Sequence, residues 1–182
     1  GSVPLPCDLV DAAAIAALFE EGRRPFDRLD ILVHAAGITR DAILWKMEDA
    51  AWTEVMRVKL DAAFHLLKRA APLLRASGDG AVVLISSING ERGKAGEANY
   101  AASKAGLIGL GRTAARELGR FGVRVNVIAP GLIDTEMTAS LPEEARARAV
   151  EESALGRAGR PEDVARAVLF LSSPLGRHIT GQ

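Results

Sequence analysis

The feature that most constrains the fold is an uninterrupted apolar run at residues 81–85, AVVLI. A short run without polar alternation predicts a strand buried on both faces, which is typical of parallel sheets covered by helices. Ser86 and Ser87 follow this run directly. Because ligands of open α/β sheets bind outside the carboxyl ends of the strands, a hydroxyl at this place is a candidate site residue.

The rest of the chain repeats an alternation of strand and helix patterns. Strands are predicted at residues 3–5, 29–33, 81–86 and 123–128, and helices at 11–21, 50–74 and 97–120, with a loop at 22–27. Two more helices are predicted to open at Pro142 and Pro161, the second with acidic residues in its first turn. This order predicts a single α/β domain over residues 1–182, with a parallel sheet and right-handed crossovers.

Composition limits the class of partner. Acidic and basic residues balance at 23 each, so no global field favours nucleic acid or an anionic membrane. The single cysteine excludes an internal disulfide framework and fits a reducing compartment. No apolar run approaches the roughly 18 residues of a membrane span, and no signal peptide precedes the first element. We therefore expect a cytoplasmic protein that binds neither nucleic acid nor membrane.

Tyr100 and Lys104 lie four residues apart in a segment rich in Ala, Gly and Leu. On a helix this spacing puts both side chains on one face, although a pair of this kind is also common on solvated helix faces. A neighbouring ammonium favours the phenolate, so we expect a Tyr100 pKa below the usual value near ~10. Together with Ser87, these two side chains could hold and protonate a carbonyl oxygen.

Three motifs occur in one order: the serine after the strand, the run NYAASKAG at 99–106, and NVIAPG at 126–131. This pattern resembles the short-chain dehydrogenase/reductase family over nearly the whole chain. The resemblance implies a doubly wound, Rossmann-like sheet and hydride transfer between a nicotinamide cofactor, NADP or NAD with NADP favoured, and a carbonyl or alcohol. It implies that Ser87 hydrogen-bonds the substrate oxygen, Tyr100 moves the proton, and Lys104 holds the nicotinamide ribose.

The Gly-rich turn that opens such a fold and binds the pyrophosphate is absent before Asp8. By the resemblance, the chain begins at the family's third strand and stops just before its last. The first two strands would lie between the predicted strands 3–5 and 29–33, so we expect the first segment to lack a neighbour and another edge to be bare. The domain is therefore expected to be incomplete at both ends.

The resemblance also implies which residues contact the cofactor. Asp8 matches an acid that contacts the adenine, with helix capping as the alternative role, and small residues in HAAG at 34–37 let the backbone approach the ribose. The loop 130–135 matches one whose Ile backbone and Thr hydroxyl hold the nicotinamide carboxamide. The implied cofactor-binding residues are Asp8, Leu9, Ala36, Gly37, Tyr100, Lys104, Pro130, Gly131, Ile133 and Thr135. No metal site is expected.

Two positions depart from the family pattern. His34 stands where the family has Asn, and we interpret it as a structural hydrogen-bonding residue. Lys59 stands where the family usually has an Asn that holds a water in a proton relay behind the lysine. Lys59 then either turns outward or slows the site by bringing a second cation toward Lys104. Alternatively, the alignment shifts and Lys59 is a surface residue.

The segment GITRD at 37–41, followed by Met47, resembles 3-oxoacyl-acyl-carrier-protein reductases and acetoacetyl-CoA reductases, and SSINGERG at 86–93 is closer to the second group. Both groups reduce a β-ketoacyl thioester. Arg112, Arg116 and Arg120 form one basic stripe, which could meet an acidic carrier protein or be a solvated face paired with acids such as Glu117.

Two further expectations concern assembly. The long helices at 50–74 and 97–120 have apolar, close-packing surface, so we expect a homodimer or homotetramer. Lys59 and the missing Gly-rich turn are also compatible with a catalytically inactive subunit that binds or assembles and keeps only the fold. The presence of Ser87, Tyr100 and Lys104 together argues against that alternative.

Overall fold

A computed structural model describes residues 3–20, 26–139 and 141–182. Its strands are β1 (Ile31–His34), β2 (Ala81–Ile85) and β3 (Arg124–Ile128). Its helices are α1 (Ala12–Ala17), α2 (Asp49–Met56), α3 (Ala62–Ser77), α4 (Ile88–Arg92), α5 (Ala98–Leu118), α6 (Glu136–Ala139), α7 (Glu143–Glu151) and α8 (Pro161–Ser172). A π-helical segment, Arg57–Asp61, joins α2 to α3, and short 3₁₀ turns occupy Leu44–Lys46, Gly119–Phe121 and Pro174–Gly176.

The three strands form one parallel sheet in the order β1-β2-β3. Central strand β2 is almost wholly buried, since residues 81–84 are at most 2% exposed. Helices α3 and α5 pack against each other and against the sheet, and α8 packs against β2 and β3. The predicted α/β class with a parallel sheet is therefore confirmed, and the carboxyl ends of all three strands meet at one edge.

The first predicted strand, at residues 3–5, is wrong: the structure has no strand there. An extended segment needs a neighbouring strand to satisfy its backbone N–H and C=O groups, and the sheet offers none at that place. Within the described part of the chain, β1 pairs only with β2, and its Ile31 and Val33 are 46% and 43% exposed. This is the bare edge that the family strand order predicts.

Residues 179–182 run along the edge of β3 that does not pair with β2. The Gly181 N–H donates to the Val125 carbonyl at 2.8 Å, and the Val127 N–H donates to the Gln182 carbonyl at 2.7 Å. The sheet edge at β3 is therefore partly covered by residues 179–182, a contact that the sequence did not predict.

Two predicted helices have different bounds in the structure. The helix predicted at 50–74 is two helices separated by the π-helical segment. Asp11 caps α1 by accepting from the Ala13 N–H at 2.8 Å, but α1 ends at Ala17 rather than near 21. Residues 21–25, which include most of the predicted loop at 22–27, lie outside the described residues. Among the described helices, none is long and apolar enough to cross a bilayer.

Candidate active site

Ser87, Tyr100 and Lys104 line one cavity of about 740 Å³ at the carboxyl end of the sheet. Ser87 is the N-cap of α4, directly after β2, and its hydroxyl accepts from the Asn89 N–H at 3.2 Å. Tyr100 and Lys104 lie one turn apart on α5. The strand end and the helix spacing thus bring the three side chains of the predicted catalytic set into the same space.

Lys104 is held by the end of β2. Its Nζ donates to the Ile85 carbonyl at 2.6 Å, and its own carbonyl accepts from the Ser86 hydroxyl at 2.7 Å. Burial, and secondly the nearby Lys59 ammonium, lower the pKa of Lys104 to about 7. The ammonium lies 5.7 Å from the centre of the Tyr100 ring.

The expected lowering of the Tyr100 pKa is wrong for the protein without cofactor. Burial raises the pKa of Tyr100, and a hydrogen bond with the Ser87 side chain opposes this only in part. Lys104 does not reverse the shift. Its own pKa is about 7, so it is uncharged at the higher pH at which a phenol ionises. Tyr100 is therefore protonated at neutral pH, which is the state that gives a proton to a carbonyl oxygen.

Asn99 fixes the start of α5, a role that the sequence analysis missed. Its side chain is fully buried. The Asn99 Nδ2 donates to the Arg40 carbonyl at 2.9 Å and to the Ala51 carbonyl at 3.2 Å. Its Oδ1 accepts from the Tyr100 N–H at 2.7 Å. The signal available in the sequence was an Asn at the first turn of a helix, where side-chain oxygens bind free N–H groups.

Lys59 lies inside the cavity, which overturns two predictions: it neither turns outward nor lies on the surface. The residue is 1% exposed, and its Nζ lies 4.6 Å from the centre of the Tyr100 ring. A Cβ at Gly37 would collide with this ammonium. The absent side chain of Gly37 is therefore what makes room for Lys59.

His34 has the structural role that was predicted for it. Its Nε2–H donates to the Lys59 carbonyl at 2.9 Å, and the side chain is buried. Burial lowers the pKa of His34 and so favours the neutral ring, while the hydrogen bond to the Lys59 carbonyl acts in the opposite direction. The described residues contain no group of three or more His, Cys, Asp or Glu side chains that could hold a metal ion.

The loop after β3 forms another wall of the cavity. Pro130, Gly131, Ile133 and Thr135 all line it, as do Pro161 and Val164 of α8, which the sequence analysis missed. The loop is anchored by the Ile88 N–H, which donates to the Pro130 carbonyl at 3.1 Å, and by a bridge between Ile133 and Gly159. The pairing of 133 with 159 joins segments far apart in sequence, so no local pattern pointed to α8.

Not every predicted cofactor residue reaches this cavity. Gly37 lines it together with Ala35, whereas Ala36 does not. Asp8 is exposed and accepts from the Val10 N–H at 3.0 Å, so it closes a turn, and the helix cap is Asp11 instead. Leu9 lines a separate hollow beside Asp11. The adenine contact of Asp8 and Leu9 stays a prediction.

A second, smaller hollow of about 180 Å³ adjoins the first and shares with it Ser87, Tyr100, Gly131, Met137 and Thr138. The charged residues of its other walls are Asp41, Arg92, Lys94 and Glu97. Burial, and secondly Glu97, raise the pKa of Asp41. Ser87 and Tyr100 therefore line both hollows and can contact a ligand in either one.

The large cavity fits a nicotinamide cofactor. Its volume lies within the roughly 300–1,000 Å³ of small-molecule and cofactor sites, and its walls combine apolar side chains with a few polar groups, as such sites do. Lys104 can donate to a ribose hydroxyl, and the loop 130–135 offers backbone groups and the Thr135 hydroxyl to a carboxamide.

Comparison with known proteins agrees with this geometry. A family model described as enoyl-(acyl carrier protein) reductase matches residues 1–182. A Thermotoga maritima protein named 3-oxoacyl-[acyl-carrier-protein] reductase FabG is 42% identical over 179 residues, which cover 98% of this chain and 73% of that protein. Proteins of the same name from Escherichia coli (strain K12) and Staphylococcus aureus (strain Mu50) are 40% and 39% identical, over 98% and 100% of this chain and 73% and 74% of their own lengths. The chain therefore belongs to the short-chain dehydrogenase/reductase family of NAD(P)-dependent oxidoreductases.

Proposed function

We propose that this chain carries the active site of a reductase that converts a 3-oxoacyl thioester to the 3-hydroxyacyl thioester. The observation that carries the proposal is that Ser87 and Tyr100 stand at the junction of two hollows. The large cavity has the size of a cofactor site and is lined by Lys104, and the smaller hollow is the proposed substrate site. The relatives named above carry this substrate class in their names.

Each residue has a distinct task in the proposed reaction. When bound, the nicotinamide supplies the hydride that reduces the carbonyl carbon. The Ser87 hydroxyl donates a hydrogen bond to the substrate oxygen, and Tyr100, which is protonated at neutral pH, gives that oxygen its proton. Lys104, fixed by the Ile85 carbonyl, holds the ribose and presents positive charge to the phenolate that forms.

The cofactor is proposed to be NADPH. This preference over NADH rests on the family resemblance alone, because none of the described cavity residues distinguishes the two. Gly37, Gly131 and Thr135 are proposed to hold the nicotinamide half together with Lys104, and Asp8 and Leu9 the adenine half.

An acyl carrier protein is the proposed source of the thioester, and a basic hollow is its proposed docking surface. Lys68, Arg75, Arg116 and Arg120 line a hollow of about 600 Å³ at the ends of α3 and α5. The guanidinium groups of Arg75 and Arg120 lie 3.8 Å and 4.7 Å from the centre of the Phe121 ring, which holds them in place. The helix rises about 24 Å from Tyr100 to Arg116, so the acyl group must be carried on a linker long enough to span this distance.

The test compares substrates and carriers on the complete protein. NADPH and NADH oxidation are followed at 340 nm with acetoacetyl-CoA, a carrier-linked 3-oxoacyl thioester, a sugar and a steroid ketone. We expect turnover of the thioesters, and in the double variant R116E/R120E a loss of kcat/KM of about tenfold with the carrier-linked substrate only. Acetoacetyl-CoA is the matched control for that variant. Turnover of the sugar or steroid without turnover of either thioester would contradict the substrate class.

We further propose that residues 1–182 are one Rossmann-like domain that is incomplete at both ends. The exposed Ile31 and Val33 on the edge strand β1 support this, as does the coverage of only 73–74% of the relatives' lengths. Hydrogen exchange on the complete protein tests it: the amides of β1 should be protected as strongly as those of β2. Rapid exchange along β1 would contradict the proposal.

The second candidate function is an inactive binding or assembly subunit. One observation favours it: Lys59 lies where it lowers the pKa of the neighbouring Lys104. A complete protein that binds NADPH tightly and turns over none of the thioesters would select this candidate.

A further inference from the structure

The Lys59 ammonium faces the large cavity from a side chain that is otherwise buried. The side chain is 1% exposed, and its Nζ makes no hydrogen bond or ion pair with any residue that the structure describes. Its neighbours are the Tyr100 ring, 4.6 Å away at its centre, and the bare Cα of Gly37. An ammonium at the wall of a cavity keeps its donors free for a molecule that fills the cavity, so this group points to a partner other than the described residues.

Three features of the backbone aim Lys59 into the cavity. The residue lies in the middle of the π-helical segment, where the Ala62 N–H donates to the Arg57 carbonyl five residues back. The His34 ring donates to the Lys59 carbonyl at 2.9 Å and so fixes this bulge against the end of β1. Gly37 leaves the space that the ammonium fills. Single π-turns inside α-helices are frequent at functional sites.

The charges around Lys59 keep it a cation near neutral pH. Burial lowers the pKa of Lys59 to about 8, while Asp41 and Glu97 act in the opposite direction. Lys104 and the neutral His34 are the other titratable groups beside it, along with the protonated Tyr100.

We propose that Lys59 is a second cofactor-binding lysine, whose ammonium donates a hydrogen bond to an oxygen of the bound dinucleotide beside Lys104. The proposal rests on the proposed function, since it takes the large cavity to be the cofactor site. A dinucleotide offers ribose hydroxyls and an anionic diphosphate, both of which accept from an ammonium. The substrate carbonyl, by contrast, already has the hydroxyl donors Ser87 and Tyr100.

The test measures NADPH binding to the complete protein by fluorescence, without substrate. The variants are K59M, which keeps the length of the side chain, and K59Q, which keeps a hydrogen-bond donor without charge. The matched control is K46M, which removes an exposed lysine. We expect both Lys59 variants to weaken NADPH binding at least about tenfold, the factor that 1.4 kcal/mol represents, and K46M to change it less than twofold. The unfolding midpoint without cofactor verifies that each variant is folded.

The outcomes separate the inference from the proposed function. If K59M and K59Q bind NADPH within twofold of the parent protein, or more tightly, the inference is overturned. The ammonium then contributes nothing measurable to cofactor binding. A raised KM for the thioester with unchanged NADPH affinity overturns it as well, since the contact would be with substrate. If the parent protein binds neither NADPH nor NADH, the proposed function itself fails, and the inference falls with it.

Discussion

We expect the free energy of unfolding to rise between pH 7 and 9 because of two buried lysines, Lys59 and Lys104. The pKa values of Lys104 and Lys59 fall to about 7 and about 8 on folding, from the ordinary 10.5. Between these values and 10.5 the unfolded chain binds more protons than the folded one, so the free energy of unfolding rises with pH. Each lysine contributes at most about 1.4 kcal/mol per pH unit, which amounts to roughly 2–4 kcal/mol for the pair between pH 7 and 9.

That gain corresponds to a rise of roughly 4–16 °C in the unfolding midpoint for a domain of this size. Of the other shifted groups, Asp41, Asp163, His34 and Tyr100 lie outside the window, and the raised pKa of Cys7 opposes the rise only from about pH 9 upward. The lowered pKa of His34 acts below pH 6.5, and the raised pKa of Tyr100 adds stability that is present below pH 10 and lost above it. The measurement therefore stops at pH 9.

The assay is urea unfolding followed by circular dichroism at pH 7, 8 and 9 and constant ionic strength. K59M should lose about a third to a half of the rise, because only one of the two lysines still titrates in the window. K46M, at an exposed position, should keep all of it. A free energy of unfolding that is flat or falls between pH 7 and 9 would refute the reasoning, since both buried lysines would then be charged in the folded protein.

Four further changes test other parts of the structure. Y100F should lower kcat by roughly 10²–10⁴ and leave the NADPH dissociation constant within about threefold, as seen by absorbance and fluorescence, because only the proton donor is lost; a kcat above a tenth of the parent value would exclude Tyr100 as the acid. R124M should lower the free energy of unfolding by roughly 3 kcal/mol in urea, since Arg124 donates to the Leu171, Ser172 and Gly176 carbonyls at the end of α8; a loss below ~1 kcal/mol would contradict this. G90A should cost about 1–3 kcal/mol and reduce kcat, because its Cβ would lie 2.8 Å from backbone atoms of α5; unchanged stability and kcat would show that α4 is free to move. If the complete protein forms the dimer or tetramer expected from its sequence, F64E should shift it to smaller species in light scattering, since Phe64 is 46% exposed; an unchanged mass would place the interface elsewhere.

Strands β1, β2 and β3 and helix α5 were predictable because their signals are local. The apolar runs of β1, β2 and β3 and the proline that begins α8 each depend on a few neighbouring residues. The convergence of Ser87 with Tyr100 and Lys104 followed from two local facts, a strand end and a four-residue helix spacing. The family resemblance then assigned roles that spacing alone left open.

What the sequence missed depends on contacts between distant segments. The break in the helix at 57–61 leaves no mark in the apolar pattern, yet it turns Lys59 into the cavity rather than outward. The sign of the Tyr100 shift also depended on burial, which raises the pKa of Tyr100 and lowers that of Lys104, four residues away on the same helix. Spacing shows that two side chains are neighbours but not how dry their surroundings are.

The amino-acid sequence by itself determined the α/β class, the alternation of strands and helices from residue 29 onward and the identity of the groups that can move a proton, because these follow from local hydrophobic periodicity and residue chemistry. Tertiary structure alone decided which residues share the cavity and which charges they carry there. Lys59 meets Gly37 and Tyr100 only after β1 and α5 have packed around the same sheet edge. The ionisation of buried groups depends on the dielectric and the charges that this packing creates, and no stretch of the chain contains that information alone.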